Sequence, residues 1–198
     1  MNKLVLSSNS ARRQQLMMDA GYEFEIRVRD IDESFDDSID VTQVAEYLAV
    51  KKNMANGTDA DEVVVTSDTV VIVGNKILGK PETESDAFEM IHSMCGKSHL
   101  VISGVCISGR DKTISFSDKV EVELGHLSHK EIWFYIENYR PFDKAGAYGI
   151  QEWLGMVGIS QIKGSFYSVM GLPMHKVYSS LRDDFGILPF NGQMAQKF

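Results

Sequence analysis

Val63-Val64-Val65-Thr66-Ser67-Asp68-Thr69-Val70-Val71-Ile72-Val73 is apolar and β-branched on both sides of one carboxylate, the strongest strand signal in the chain. β-Branched residues favour extended backbone, and an apolar run of this kind reads as a strand. Gly74-Asn75 then turns the chain into Lys76-Ile77-Leu78, and Pro81 ends the hairpin. Asp68 breaks the pattern. An unpaired buried carboxylate costs roughly several kcal/mol, so Asp68 must be paired, hold a metal, or sit at a strand end facing a cleft. A structural and a catalytic aspartate both satisfy that requirement.

Strand-like and helix-like segments alternate outward from this run. Downstream, Ser85 to Met94 reads as a helix with Ala87, Phe88 and Ile91 inward. His99 to Ser108 and Thr113 to Leu124 read as two strands around a turn at Gly109-Arg110-Asp111. Ser128-His129-Lys130-Glu131 is a capping box, and its helix carries Ile132, Tyr135, Ile136 and Tyr139 before Pro141. Asp143 to Gln151, in a glycine-rich stretch reaching Gly164, reads as a tight loop leading into a strand. Pro173 suits the first turn of a last helix containing Val177 and Leu181, and the tail after Gly186 is expected to fray.

Upstream, Leu4-Val5-Leu6 reads as a buried strand, and Ser7-Ser8-Asn9-Ser10 supplies a turn and an N-cap. Ala11 to Ala20 is then helical up to Gly21. A strand feeding a helix start gathers free N–H groups at one point, and Arg12 and Arg13 add two guanidinium groups there. The plain alternative is a capped surface helix with two solvated arginines. Phe24 to Val28 has strand character, and Val41, Val44, Ala45 and Leu48 mark a helical stripe that Lys52 continues. A lysine there either snorkels to water or meets an anion. The sum is a mixed α/β fold, with antiparallel hairpins in the middle and helices on the flanks.

At 198 residues the chain suits one domain or two small lobes. A net charge of −8 argues against a nucleic acid polymer as partner, since polymer binding needs a broad basic face. A mononucleotide needs only a local cluster of cations. No apolar run approaches a membrane span, and Cys95 and Cys106, each in an apolar stretch, read as buried reduced thiols of a cytoplasmic protein. The acidic stretch Asp30 to Asp37 reads as a solvated loop in preference to a metal site. The histidines are scattered without zinc-type spacing, there is no Gly-x-Ser-x-Gly elbow, and Leu78-Gly79-Lys80-Pro81 lacks the spacing of a Walker loop. Gln151 offers both a donor and an acceptor, as base recognition requires.

Five segments together carry a resemblance: Ser8 to Arg13, Ser67-Asp68-Thr69, Leu78 to Pro81, Asp143 to Gln151, and Gly164 to Pro173. In that order they resemble the successive motifs of Maf-like nucleoside triphosphate pyrophosphatases, across nearly the whole chain. The resemblance implies a single domain over residues 1–198, with a mixed elongated sheet flanked by helices, two lobes around a deep cleft and a Maf/ITPase-like fold. In many members it also implies a homodimer. It implies metal-assisted hydrolysis of a nucleoside triphosphate to the monophosphate and pyrophosphate. The wording Ala145 to Gln151 resembles the branch acting on dTTP and UTP. By motif match Asp68 is the catalytic acid/base, Arg12, Thr69 and Gln151 are specificity positions, and Ser8, Arg13, Glu33, Lys52 and Lys80 line the same cleft.

The chain departs from the family's usual wording at Ala11 (commonly proline), at Ser67 (commonly alanine) and after Gln151. There the family tends to continue Gly-x-Gly, and this chain has Glu152-Trp153-Leu154-Gly155. The expected chemistry has Arg12, Arg13, Lys52 and Lys80 clamp the triphosphate, with Glu33 and Asp68 as candidate ligands of Mg²⁺ or Mn²⁺. Two other readings stay open: a house-cleaning pyrophosphatase for modified nucleotides or 7-methyl-GTP, and a non-catalytic nucleotide-binding regulator of cell division.

Overall fold

In the computed structural model, which describes residues 3–189, β3 (Glu62–Val73) is the spine of a seven-stranded sheet. The strand order is β2-β1-β3-β5-β6-β7, and β4 also pairs with β3. These strands are β1 (Lys3–Ser7), β2 (Glu25–Ile26), β4 (Lys76–Leu78), β5 (Lys97–Ser108), β6 (Thr113–Leu124) and β7 (Ile159–Lys163). β1 runs parallel to β2 and β3, while β3, β5, β6 and β7 are antiparallel neighbours. Parallel pairing needs a crossover, and α1 (Ala11–Asp19) and α2 (Val44–Asn56) lie in the segment that joins β1 to β3.

The edge of β3 away from β5 is split. β1 pairs with Glu62 to Thr66, and β4 pairs with Val71 to Val73. Between them Ser67 to Val70 have no strand partner on that edge among the described residues, although β5 covers them on the other. Asp68 therefore sits at a gap in the sheet, where a ligand can approach without breaking a ladder hydrogen bond.

Alternation along the strand sends successive side chains to opposite faces. Val70, Ile72 and Ile102 meet Val44, Ala45 and Leu48 of α2 on one face. On the other face Val63, Val65, Val105 and Ile107 join a core with Leu16 of α1 and, beyond the short helix α6 (Phe166–Val169), with Val177 and Leu181 of α7 (Met174–Phe185). Further along that face, Val71 and Val101 join a separate core with α3 (Glu84–Met94) and α4 (His129–Tyr139), through Ile91, Met94, Ile132 and Ile136. Buried Ser67 and Ser103 and half-buried Thr69 form a polar belt between these two cores. Both α3 and α4 open with complete capping boxes, at Thr83/Asp86 and at Ser128/Glu131.

Four expectations are corrected. The strand read over Phe24 to Val28 is only Glu25–Ile26, both exposed, at the end of the sheet, where among the described residues no further strand pairs with its outer edge. The loop after Asp143 leads into a 3-10 turn (Ala145–Ala147), a β-turn and the helix α5 (Trp153–Gly158) before β7 begins. Gly155 sits so close to the Ile150 carbonyl that a Cβ would lie 1.9 Å from its oxygen, so this chain folds back tightly and does not extend. Ser10 stands at the N-cap of α1 with no side-chain cap bond, which leaves the first-turn N–H groups open. After Gly186, Ile187 packs against the α7 core and donates its N–H to Leu181 O, so this part of the tail is held; residues 190–198 lie outside the described residues.

Candidate active site

A cleft of about 700 Å³ opens at the split in the sheet edge. All nine residues named from the sequence line it: Ser8, Arg12, Arg13, Glu33, Lys52, Asp68, Thr69, Lys80 and Gln151. They come from the β1–α1 turn, the first turn of α1, the acidic loop, α2, β3, the β4 exit and the turn before α5.

Lys52 meets an anion and does not merely snorkel. Its Nζ lies 2.5 Å from Asp68 Oδ1 and 2.8 Å from Glu33 Oε1, so one ammonium holds two carboxylates together. Asp68 is buried, and Glu33 hangs over it from the exposed loop. Burial would raise the Glu33 carboxyl, but the hydrogen bond and charge of Lys52, with Lys80 and Arg13 beyond, outweigh it and hold Glu33 below its ordinary range. Among the described residues Asp68 Oδ2 and Glu33 Oε2 have no protein partner, and no three His, Cys, Asp or Glu side chains form a metal cage.

The two arginines do different work. Arg13 is a brace: Nε donates to Gly171 O at 2.8 Å, Nη1 to Ser67 O at 2.9 Å and Nη2 to Thr69 Oγ1 at 2.9 Å. Those bonds fasten α1 to the open edge of β3 and to the turn before α7. Burial pulls the Arg13 pKa below the usual arginine range, and Asp68 and Glu33 oppose that pull. Arg12 instead reaches across the cleft to Asp143 Oδ2 at 2.8 Å. Burial would raise Asp143, yet Lys144 and Arg12 together keep it below the usual carboxylate range.

Ser8 is buried, and its Oγ accepts from Ser10 N at 3.2 Å. Thr69 Oγ1 shares a hydrogen with Ser103 Oγ at 2.9 Å and is occupied by protein on both sides. Lys80 and Gln151 are exposed on the rim. Gly146 N donates to Gly79 O at 2.9 Å, which ties the Lys80 turn to the loop that ends in Gln151.

Sequence reasoning missed the contributions of Gly171, Ser103, Tyr135 and Glu152. Gly171 acts through its carbonyl, and the only local trace is a glycine held at φ +112°. Tyr135 appeared as one more core residue on the α4 stripe, yet its hydroxyl accepts from Gly149 N at 2.9 Å and donates to Glu152 Oε2.

The cleft thus gathers a buried carboxylate, a lysine bridging it to a second carboxylate, an open helix N-terminus and further cations on the rim. Residues 3–184 match the Maf-like protein family over their whole length. The chain belongs to that family. Among curated Maf-like relatives, it is 45% identical to the dTTP/UTP pyrophosphatase of Parabacteroides distasonis over 183 residues, 91% of this chain and 95% of that one. It is likewise 45% identical to the dTTP/UTP pyrophosphatase of Porphyromonas gingivalis, over 91% and 94% of the two chains. The one from Flavobacterium psychrophilum is 43% identical over 89% and 91%. Of solved structures, the HAM1 protein of Coxiella burnetii aligns with a TM-score of 0.45 and 12% identity, over 63% of this Maf-like chain and 73% of that one.

Proposed function

We propose that this protein hydrolyses dTTP and UTP to the monophosphate and pyrophosphate. The observation that carries the reading is Asp68 at the gap in the sheet edge, bridged by Lys52 to Glu33 and faced by the open N-terminus of α1. Relatives at 40–45% identity named dTTP/UTP pyrophosphatase support the substrate class. We read the chain as a single Maf-like domain with two lobes around one cleft. The free cysteines support a cytoplasmic location, and the family resemblance supports a homodimer.

In this reading the first-turn N–H groups of α1 and Ser8 hydrogen-bond the phosphates, and Arg12, Lys52 and Lys80 balance their charge. Arg13 holds the walls at the right separation, since most of its donors are already spent on protein acceptors. Phosphoryl transfer depends chiefly on such positioning and neutralisation. Asp68, oriented by Lys52, accepts a proton from the water that attacks the α-phosphorus, and pyrophosphate leaves. Gln151 reads the base edge.

The open oxygens of Glu33 and Asp68 fit Mg²⁺ or Mn²⁺, which is held by one or two carboxylates together with phosphates and water. When bound, the ion supplies charge neutralisation at the phosphate oxygens.

The test is pyrophosphate release from dTTP, UTP, CTP, ITP, 7-methyl-GTP and modified pyrimidine triphosphates, with Mg²⁺, Mn²⁺ or EDTA. Metal-dependent release, fastest with dTTP or UTP, is the expected result. Preference for 7-methyl-GTP or a modified base would keep the reaction and overturn the base assignment. No release from folded protein would leave the regulatory binder as the better account.

A further inference from the structure

The turn that carries Gln151 is locked by three hydrogen bonds in a ring. Gly149 N donates to the Tyr135 hydroxyl at 2.9 Å, that hydroxyl donates to Glu152 Oε2, and Glu152 N donates back to Gly149 O at 3.0 Å. Gln151 sits at the exposed corner of this ring and faces the cleft. The packing is tight. A Cβ on Gly149 would lie 2.8 Å from Glu152 Cδ and 3.0 Å from Lys144 Cε, so these side chains rest directly on the turn's backbone.

The ring is also wired to the opposite wall of the cleft. Lys144, itself buried, places Nζ 3.0 Å from Glu152 Oε1 and 2.7 Å from Asp143 Oδ1, and Asp143 Oδ2 holds Arg12 at 2.8 Å. The two oxygens of Glu152 are thus divided, one to the turn through Tyr135 and one to the arginine arm through Lys144. Burial and the bond to Glu152 push the Tyr135 phenol well above its ordinary pKa, so it stays a donor at neutral pH. Tyr135 and Lys144 are buried and Glu152 is half-buried, so the bonds they share specify one geometry for the turn that carries Gln151, and exposed Asp143 carries the link on to Arg12.

We propose that Glu152 is the positioning residue for base selection: it fixes the Gln151 turn through Tyr135 and sets that turn against Arg12 through Lys144 and Asp143. The proposal rests on the reading of the cleft as a nucleotide pyrophosphatase site. An amide at position 152 offers one accepting oxygen where the carboxylate offers two, so in Glu152→Gln either Lys144 or Tyr135 loses its acceptor. Tyr135→Phe instead removes the hydroxyl at the centre of the ring.

The experiment measures kcat and KM of wild type, Glu152→Gln, Tyr135→Phe and the double variant on dTTP, UTP, CTP and GTP, with thermal unfolding of each. Affinities for the α,β-imido analogues of the same nucleotides are measured by calorimetry. Glu152→Gln is expected to narrow the spread of kcat/KM among bases about tenfold, mainly through KM, and Tyr135→Phe to do the same. The double variant should lose little more than either single one, because the two act through one ring. A folded Glu152→Gln protein with the wild-type base ranking would overturn the proposal, as would additive losses in the double variant. If Glu152→Gln does not fold, Tyr135→Phe decides on the same criterion. If wild type releases no pyrophosphate, the catalytic reading fails and the analogue affinities decide this proposal alone. Wild-type affinities equal for every base, or a ranking that survives both substitutions, would then overturn it.

Discussion

Asp68 on β3 lies directly opposite Gly104 on β5, and the absent side chain at Gly104 is what brings the helix bearing Lys52 down over the carboxylate. A Cβ on Gly104 would stand 2.3 Å from the carbonyl carbon and oxygen of Ala45, so the backbone of α2 lies directly on the sheet there. Lys52 is on the same helix two turns further along, and helical side chains lean toward the N-terminus, which returns its ammonium to Asp68. The ion pair in the cleft is therefore set by a backbone contact in the core.

Gly104→Ala tests this coupling. The new methyl group must push α2 off the sheet, a cost of about 1–3 kcal/mol for overpacking. Denaturant unfolding should show that loss, and kcat/KM should fall with it as Lys52 and Glu33 separate from Asp68. A destabilised protein with wild-type kcat/KM would show that the Lys52 position does not depend on Gly104.

Asp68→Asn keeps the side chain's size and removes its proton acceptor. Turnover should fall at least about a hundredfold, the range for loss of a general base. Calorimetry with a non-hydrolysable triphosphate should still detect binding. Turnover near wild type in purified Asp68→Asn would remove Asp68 from the base role.

Gln151→Ala leaves the phosphate side of the cleft intact. Its expected effect is on the order of bases, with discrimination falling roughly tenfold or more as the paired donor and acceptor are lost. Competition assays between dTTP and CTP read this directly, and an unchanged ratio would take Gln151 off the specificity list.

His99 makes stability depend on pH. It is buried, its Nε2 meets the Tyr148 hydroxyl at 2.7 Å, and its Nδ1 has no partner among the described residues. Burial lowers its pKa from 6.5 to about 4. The unfolded chain takes up a proton near pH 6.5 that the folded chain refuses, so stability is complete above that pH and declines as pH falls toward about 4. The loss approaches about 3 kcal/mol across the window. Urea unfolding at pH 7 and pH 5 should show a drop in wild type that His99→Gln reduces. Equal drops in both proteins would assign the effect elsewhere.

Much of this site was legible along the chain because each of its segments carries its own local signal. Asp68 stands out as the one carboxylate in the apolar run Val63 to Val73, and Lys52 as the lysine that continues an apolar stripe. Arg12 and Arg13 followed a turn that reads as a helix start. The strands β3, β5 and β6 and the helix α4 are equally plain, since apolar runs and turn residues mark the strands and an apolar stripe and capping box mark the helix. β2 was over-read because apolar residues such as Phe24 also pack from loops, and α5 was missed because its turn is forced by the contact of Gly155 with Ile150.

The amino-acid sequence alone determined which elements form and which polar residues had to be explained. Only the tertiary structure decided how those residues divide their work. Arg12 and Arg13 are neighbours in the chain, yet one reaches Asp143 at the cleft wall while the other is consumed by Gly171, Ser67 and Thr69. Glu152 reads as a charge beside a glutamine until Tyr135 and Lys144 close on its two oxygens. The reason is physical: periodicity and capping are local and leave a mark within a few residues, whereas these hydrogen bonds join groups that the fold brings together. Their partners, often backbone carbonyls, carry no side-chain identity to read.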